Sequence, residues 1–188
     1  MIQSDSGAGS APSDLPTIED SVDDGEVLYR RVLSSTSHYR VDGGRVRLSA
    51  TAFTDTEKRP SVDRSAICHR LDPSGPQWTQ EAEENSVVQF DAKSVRAIRP
   101  ESRNERGKVE RVHGVDVVPR PLGATPEKPA NPAHSQIEAV PDIQRRMAFR
   151  KLLEALARIV NDAGERGWAI LPPELRRTNA TERPSISE

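Results

Sequence analysis

The sequence predicts an α+β fold, a small mixed or antiparallel sheet packed against one long C-terminal helix, with disordered ends. Three observations carry this reading. Short β-branched and alternating runs dominate residues 26–140, the longest helical periodicity follows them, and 15 prolines and 11 glycines punctuate the chain without a repeating period. A length of 188 residues fits one domain with tails. Hydrophobic residues make up 34%, below the ordinary share of about 45–50%, so the ordered part is smaller than the chain. We divide the sequence into an acidic leader (1–25), one α+β domain (26–173) and a tail (174–188).

The leader is acidic throughout. Residues 1–26 hold Asp5, Asp14, Glu19, Asp20, Asp23, Asp24 and Glu26 with no Lys or Arg, a local charge of −7 in a chain whose net charge is −2, which leaves the rest at +5. Such a segment buries too little apolar surface to offset its ordering entropy. As a tail it solubilises, masks a basic surface or recruits a partner.

Structure is expected to begin at Glu26-Val27-Leu28-Tyr29-Arg30-Arg31-Val32-Leu33, a strand whose alternation puts Val27, Tyr29 and Arg31 on one face. Asp42-Gly43-Gly44 is a turn signal before the alternating run Arg45–Phe53, which is expected to pair antiparallel with the first strand. Ser61–Cys68 reads as one or two helical turns and Ser86–Phe90 as a strand, while Ala92–Ile98 fits either class. A loop after Pro100 carries Arg103, Arg106 and Lys108 to a strand at Val115–Val118. Asn131–Val140 is a loop entering a final strand.

The clearest predicted element is a helix from Ile143 to Asn161, because Phe149, Leu152, Leu153, Leu156, Ile159 and Val160 recur at helical spacing. Asp142 is its expected N-cap and Gly164 its terminator, and Trp168–Leu171 adds a short closing segment.

Several function classes are disfavoured. The chain contains no GxxxxGK[ST], GxGxxG, HExxH, GxSxG or CxxC motif. Cys68 is the sole cysteine, which excludes an intramolecular disulfide and fits a reducing compartment. Its four histidines, 38, 69, 113 and 134, lie far apart, so no metal is expected and no cofactor is assigned. The start Met-Ile-Gln-Ser-Asp-Ser lacks the basic and apolar parts of a secretory signal, and no apolar run reaches the length of a membrane span. The expected location is the cytoplasm.

Candidate chemistry centres on His134 and Glu138, since an imidazole and a carboxylate at i and i+4 of a strand share a face and suit acid/base work. The competing reading gives His134 a turn-stabilising role after Asn131-Pro132-Ala133. Lys93, Arg96, Arg99, Arg103, Arg106, Lys108 and Arg111 form a basic stretch with three intervening acids, and Arg145, Arg146, Arg150 and Lys151 a second, candidates for nucleic-acid or partner binding. The interleaved acids and a pI near 6.1 favour a solvated surface instead.

Two resemblances add to these readings. An arginine at 30 or 31, the segment Ser49-Ala50-Thr51 and the late Glu138 follow an order that resembles the functional residues of ADP-ribosyltransferase-like folds. The resemblance implies that the arginine contacts NAD phosphates, Ser49 supports the nicotinamide pocket and Glu138 stabilises a ribosyl cation. Four segments, Leu28-Tyr29-Arg30-Arg31, Leu48–Phe53, Pro60-Ser61-Val62-Asp63 and Asn131-Pro132-Ala133-His134, resemble a group of small bacterial proteins from toxin-like or phage-defence neighbourhoods. That likeness points to Arg31, Ser49, Asp63 and His134 as a shared site.

Three functional expectations follow. The first is a cytoplasmic protein-interaction or regulatory subunit, of a bacterial defence or toxin-like system, whose partner is another protein. The alternatives are a nucleotide-using enzyme built on Arg31, Ser49, His134 and Glu138, or a nucleic-acid-binding accessory protein.

Overall fold

A computed structural model describes residues 21–42, 45–55 and 59–161. The first twenty residues of the leader, the Gly43-Gly44 turn, Gly164, the Trp168–Leu171 segment and the tail lie outside the described residues.

Six strands form one antiparallel sheet in the order β10-β5-β1-β4-β9-β8. These are β1 (Val27–Val32), β4 (Ser61–Arg64), β5 (Ser86–Asp91), β8 (Asp116–Pro119), β9 (His134–Glu138) and β10 (Arg158–Asn161). Two hairpins stand apart from it: β2 (Tyr39–Asp42) with β3 (Arg45–Leu48), and β6 (Glu101–Arg103) with β7 (Val109–Val112). The helices are α1 (Ser65–Leu71), α2 (Pro76–Gln80), α3 (Ala92–Arg96), α4 (Pro141–Gln144) and α5 (Met147–Leu156).

Period-2 alternation sorts each strand onto two faces. Leu28 and Val32 of β1, Val62 of β4, Val88 and Phe90 of β5, Val117 of β8 and Ile137 of β9 point into the main core, where Phe53, Ile143, Phe149 and Leu153 meet them. The expected single covered face is corrected here. On the opposite face Tyr29 and Val87 form a second cluster with Ile67, Cys68 and Ala133, to which Val27 and Trp78 add partly buried surface. A strand buried from both sides explains why Leu28, Tyr29 and Arg30 are all inaccessible in succession. Burial also reaches into the leader segment, since Val22 packs in the main core and Arg96 donates to its carbonyl at 2.7 Å.

Three expectations are overturned. Arg45–Leu48 pairs with β2 rather than β1, and Ala50–Phe53 is a 3₁₀ turn capped by Ser49, whose hydroxyl accepts from the Thr51 amide. Ala50, Ala52 and Phe53 are all buried in this turn. Ser61–Arg64 is strand and the helix starts only at Ser65.

The single long C-terminal helix is likewise not present. Ile143 and Phe149 would lie about 120° apart on one continuous helix, yet both enter the main core. A break at Arg145 and Arg146, between α4 and α5, turns both inward. At the other end Ala157 is extended, and the β-branched Ile159 and Val160 leave the helix to run along β5 as β10. Asp142 lies in the first turn of α4, whose N-cap is Val140.

One buried cation fixes the sheet's centre. β1 and β4 pair only at Leu28↔Arg64 and Tyr29↔Asp63, then diverge. Arg30 fills the gap. Its Nε and Nη2 donate to the Ala52 carbonyl (3.1 and 2.8 Å), Nη1 to the Ser61 carbonyl (2.8 Å), and the fork grips both carboxylate oxygens of Asp55 at 3.0 Å. The guanidinium also lies 5.8 Å from the Phe53 ring centroid. Burial alone would raise the Asp55 pKa, but the Arg30 fork and the Ser61 amide outweigh it and hold the carboxyl below its usual 3.8.

Removing Arg30 leaves the buried Asp55 carboxylate without its cation and takes a donor from the Ala52 and Ser61 carbonyls. Arg30→Ala is expected to cost about 3–5 kcal/mol in chemical denaturation. Because the folded Asp55 pKa is depressed, its stabilisation is complete above the unfolded value of 3.8 and fades as pH falls through the folded one. Asp55→Asn should therefore lower stability at neutral pH and flatten the acid limb of the stability profile, and an unchanged limb would contradict the pairing.

Candidate functional site

On the second face of the sheet, register assembles a polar row. Tyr29 on β1 stands opposite Asp63 on β4, and Asp63 stands opposite His134 on β9. Directly opposed residues share a face, so three titratable side chains far apart in sequence become neighbours. They line the floor of a cleft of about 1030 Å³. One wall is α2 with Trp78 and Thr79, the other the segment Leu122–Asn131, and Arg31 and Ser61 border the floor where β1 and β4 part.

Each member of the row is held. Asp63 accepts from the Thr79 hydroxyl at 2.8 Å and from the Asn131 side-chain amide at 2.9 Å. Behind Thr79, the Cys68 sulfur lies 3.7 Å from the same hydroxyl. Burial, and then the charge of Asp63, push the Cys68 thiol up to about 12, so it stays protonated and unreactive. The Tyr29 hydroxyl lies 3.1 Å from His69 Nε2, and burial raises its pKa, which keeps it a phenol. Gly75, at φ +66° before α2, lets the chain turn against the His69 ring, where any Cβ would overlap.

His134 is 8% exposed, and its Nδ1 lies 2.6 Å from the Arg120 carbonyl. A carbonyl only accepts, so Nδ1 carries the proton and Nε2 is the basic nitrogen of the neutral ring. Nε2 makes no hydrogen bond to a described residue. An imidazole oriented by a carbonyl in a cleft is the geometry of a general base.

Of the sequence-derived candidates, Arg31, Asp63 and His134 share this cleft and Ser49 and Glu138 do not. Ser49 is committed to its 3₁₀ turn. Glu138 lies four residues along β9 from His134, roughly 13 Å at strand rise, and its carboxylate pairs with Arg120 (3.1 Å) and Arg59 (3.4 Å). A proton cannot pass directly between His134 and Glu138 over that span.

The basic candidates are dispersed. Arg96 is bound to Asp116 (2.8 Å) and Asp24 (2.6 Å), Arg103 to Glu101, and Arg99 to the carbonyl of Ile98. Arg146 reaches the Glu101 carbonyl at 3.5 Å, while Arg106 and Arg145 are exposed.

Sequence reasoning missed Tyr29, Trp78, Thr79, Lys128 and Glu81. Glu81 forms an ion pair with Arg31 and lies 3.7 Å from the Lys128 amine, with a backbone φ of +60°. The alternation of β1 is the one sequence signal that placed Tyr29 beside Arg31. No group of three or more His, Cys, Asp or Glu that could hold a metal is found among the described residues, nor any helix long and apolar enough to cross a membrane.

No family model, curated protein or solved structure matches this chain. Its site is therefore read from its own geometry.

Proposed function

We propose that this protein binds a small polar molecule of nucleotide size in the cleft and acts on it by proton abstraction at His134, in the cytoplasm. The observation that supports the reading is the Tyr29–Asp63–His134 row, with the His134 ring fixed through Nδ1 on the floor of a cleft large enough for such a ligand. Trp78 offers a planar wall, and Asp63 holds Asn131 and Thr79 as neutral groups facing the ligand. An ADP-ribosyltransferase-type arrangement would need Ser49 and Glu138 in the cleft as well, and both lie outside it.

Incubation of the purified full chain with the small-molecule fraction of a bacterial cell, followed by mass spectrometry, should show one species consumed. His134→Gln should slow that consumption by about 10²-fold or more, the usual yield of a general base, while keeping the fold. Equal turnover by the variant would remove His134 from the chemistry.

A second reading, a regulatory subunit of a bacterial defence or toxin-like system, draws on a different surface. Met147 and Leu152 of α5 and Ile159 and Val160 of β10 are exposed apolar side chains, and β10 is the outer strand of the described sheet. Ile159→Lys should abolish co-purification of a stoichiometric protein partner from native cells; retention of that partner would move the interface elsewhere. The nucleic-acid alternative has less support, because Arg96 and Arg103 are engaged in ion pairs within the chain.

A further inference from the structure

We propose that the mouth of the cleft is an oxyanion subsite made by Arg31 and Lys128, in which the Glu81 carboxylate stands in for a phosphate or carboxylate group of the ligand. The proposal rests on the cleft reading above and names the chemistry of one part of the ligand.

Three observations converge on it. First, one carboxylate oxygen of Glu81 meets both the Arg31 guanidinium and, at 3.7 Å, the Lys128 amine. The two cations come from β1 and from the opposite wall, so a single oxyanion bridges the mouth. A planar fork beside a point charge is the donor set that phosphate and carboxylate groups select.

Second, Glu81 is held there weakly. The side chains of Arg31, Glu81 and Lys128 are 29%, 52% and 67% exposed, and ion pairs this open are readily exchanged. Third, Glu81 is the one non-glycine residue with positive φ among the described residues, at φ +60° and ψ −39° just past α2. That conformation belongs to the turn that ends α2, closed by the Glu81 N–H on the Gln77 carbonyl at 3.4 Å, and it places the carboxylate at the cleft mouth.

The other acids of the cleft leave room for a ligand anion. Asp55 is gripped by Arg30 and Asp63 by Thr79 and Asn131, while Glu127 remains as the carboxylate that opposes it. An entering oxyanion thus exchanges with Glu81 on Arg31 and Lys128, and its remainder lies toward His134. Glu81 sets a threshold that only a ligand carrying such a group can cross.

The test titrates inorganic phosphate and, separately, acetate into the full chain at fixed ionic strength, following the Trp78 indole by NMR. Glu81→Gln is expected to bind at least one of the two about fivefold more tightly than the wild type. The ion that gains identifies the group as phosphate or carboxylate. Glu81→Gly, which also suits the positive φ, should gain similarly, and adding Arg31→Ala to Glu81→Gln should erase the gain. No gain for either ion in both Glu81 variants, or a gain that survives Arg31→Ala, overturns the proposal. If His134-dependent turnover is nevertheless present, the subsite alone falls and the cleft reading stands.

Discussion

A buried arginine decides how the centre of this sheet is built. Arg30 lies in the main core with its guanidinium between β1 and β4, where the strands have stopped exchanging backbone hydrogen bonds. Left empty, that gap would strand the carbonyls of Ala52 and Ser61 in a low-dielectric interior. Arg30 satisfies both and neutralises Asp55, and Asp55 in turn takes the Ser61 amide. The fork therefore holds the strands apart as much as it holds them together. The same divergence opens the floor of the cleft, which Arg30 and Asp55 border together with Arg31 and Ser61.

The two faces of β1 thus have different work. Leu28 and Val32 build the core, Tyr29 and Arg31 look onto the cleft, and the buried Arg30 borders it from the gap between the strands. The polar row is stable there because each member has a partner that suits one protonation state. Asp63 as a carboxylate takes two donors, Tyr29 as a phenol reaches His69, and Cys68 as a thiol sits beside Thr79. His134 differs from them in that one ring nitrogen is engaged by a backbone carbonyl and the other faces no described partner. The proposal that His134 acts as a base draws on that asymmetry.

Much of the strand content was legible from residue patterns, because a strand's period is local. The alternation of Val27, Tyr29 and Arg31, the run at Ser86–Phe90 and the Val115–Val118 segment all lie on or within a residue of observed strands. Register is not local. The segment resemblance groups Asp63 with His134, but no residue pattern puts Tyr29, Asp63 and His134 in one row, because the pairing follows from loops and packing far from any of them. The C-terminal helix misled for a related reason: Ile159 and Val160 fit helical spacing as well as they fit a strand, and the edge of β5 decides between the two. Glu81 reads as an ordinary surface acid until Arg31 and Lys128 are brought to it.

As proposed, the cleft on the second sheet face receives a small polar ligand against the Tyr29–Asp63–His134 row. The decisive measurement is a crystal structure of the full chain grown after incubation with the small-molecule fraction of a bacterial cell. Density for a bound molecule is expected within hydrogen-bond reach of His134 Nε2. A cleft holding only water, with a ligand bound on another surface, would contradict it.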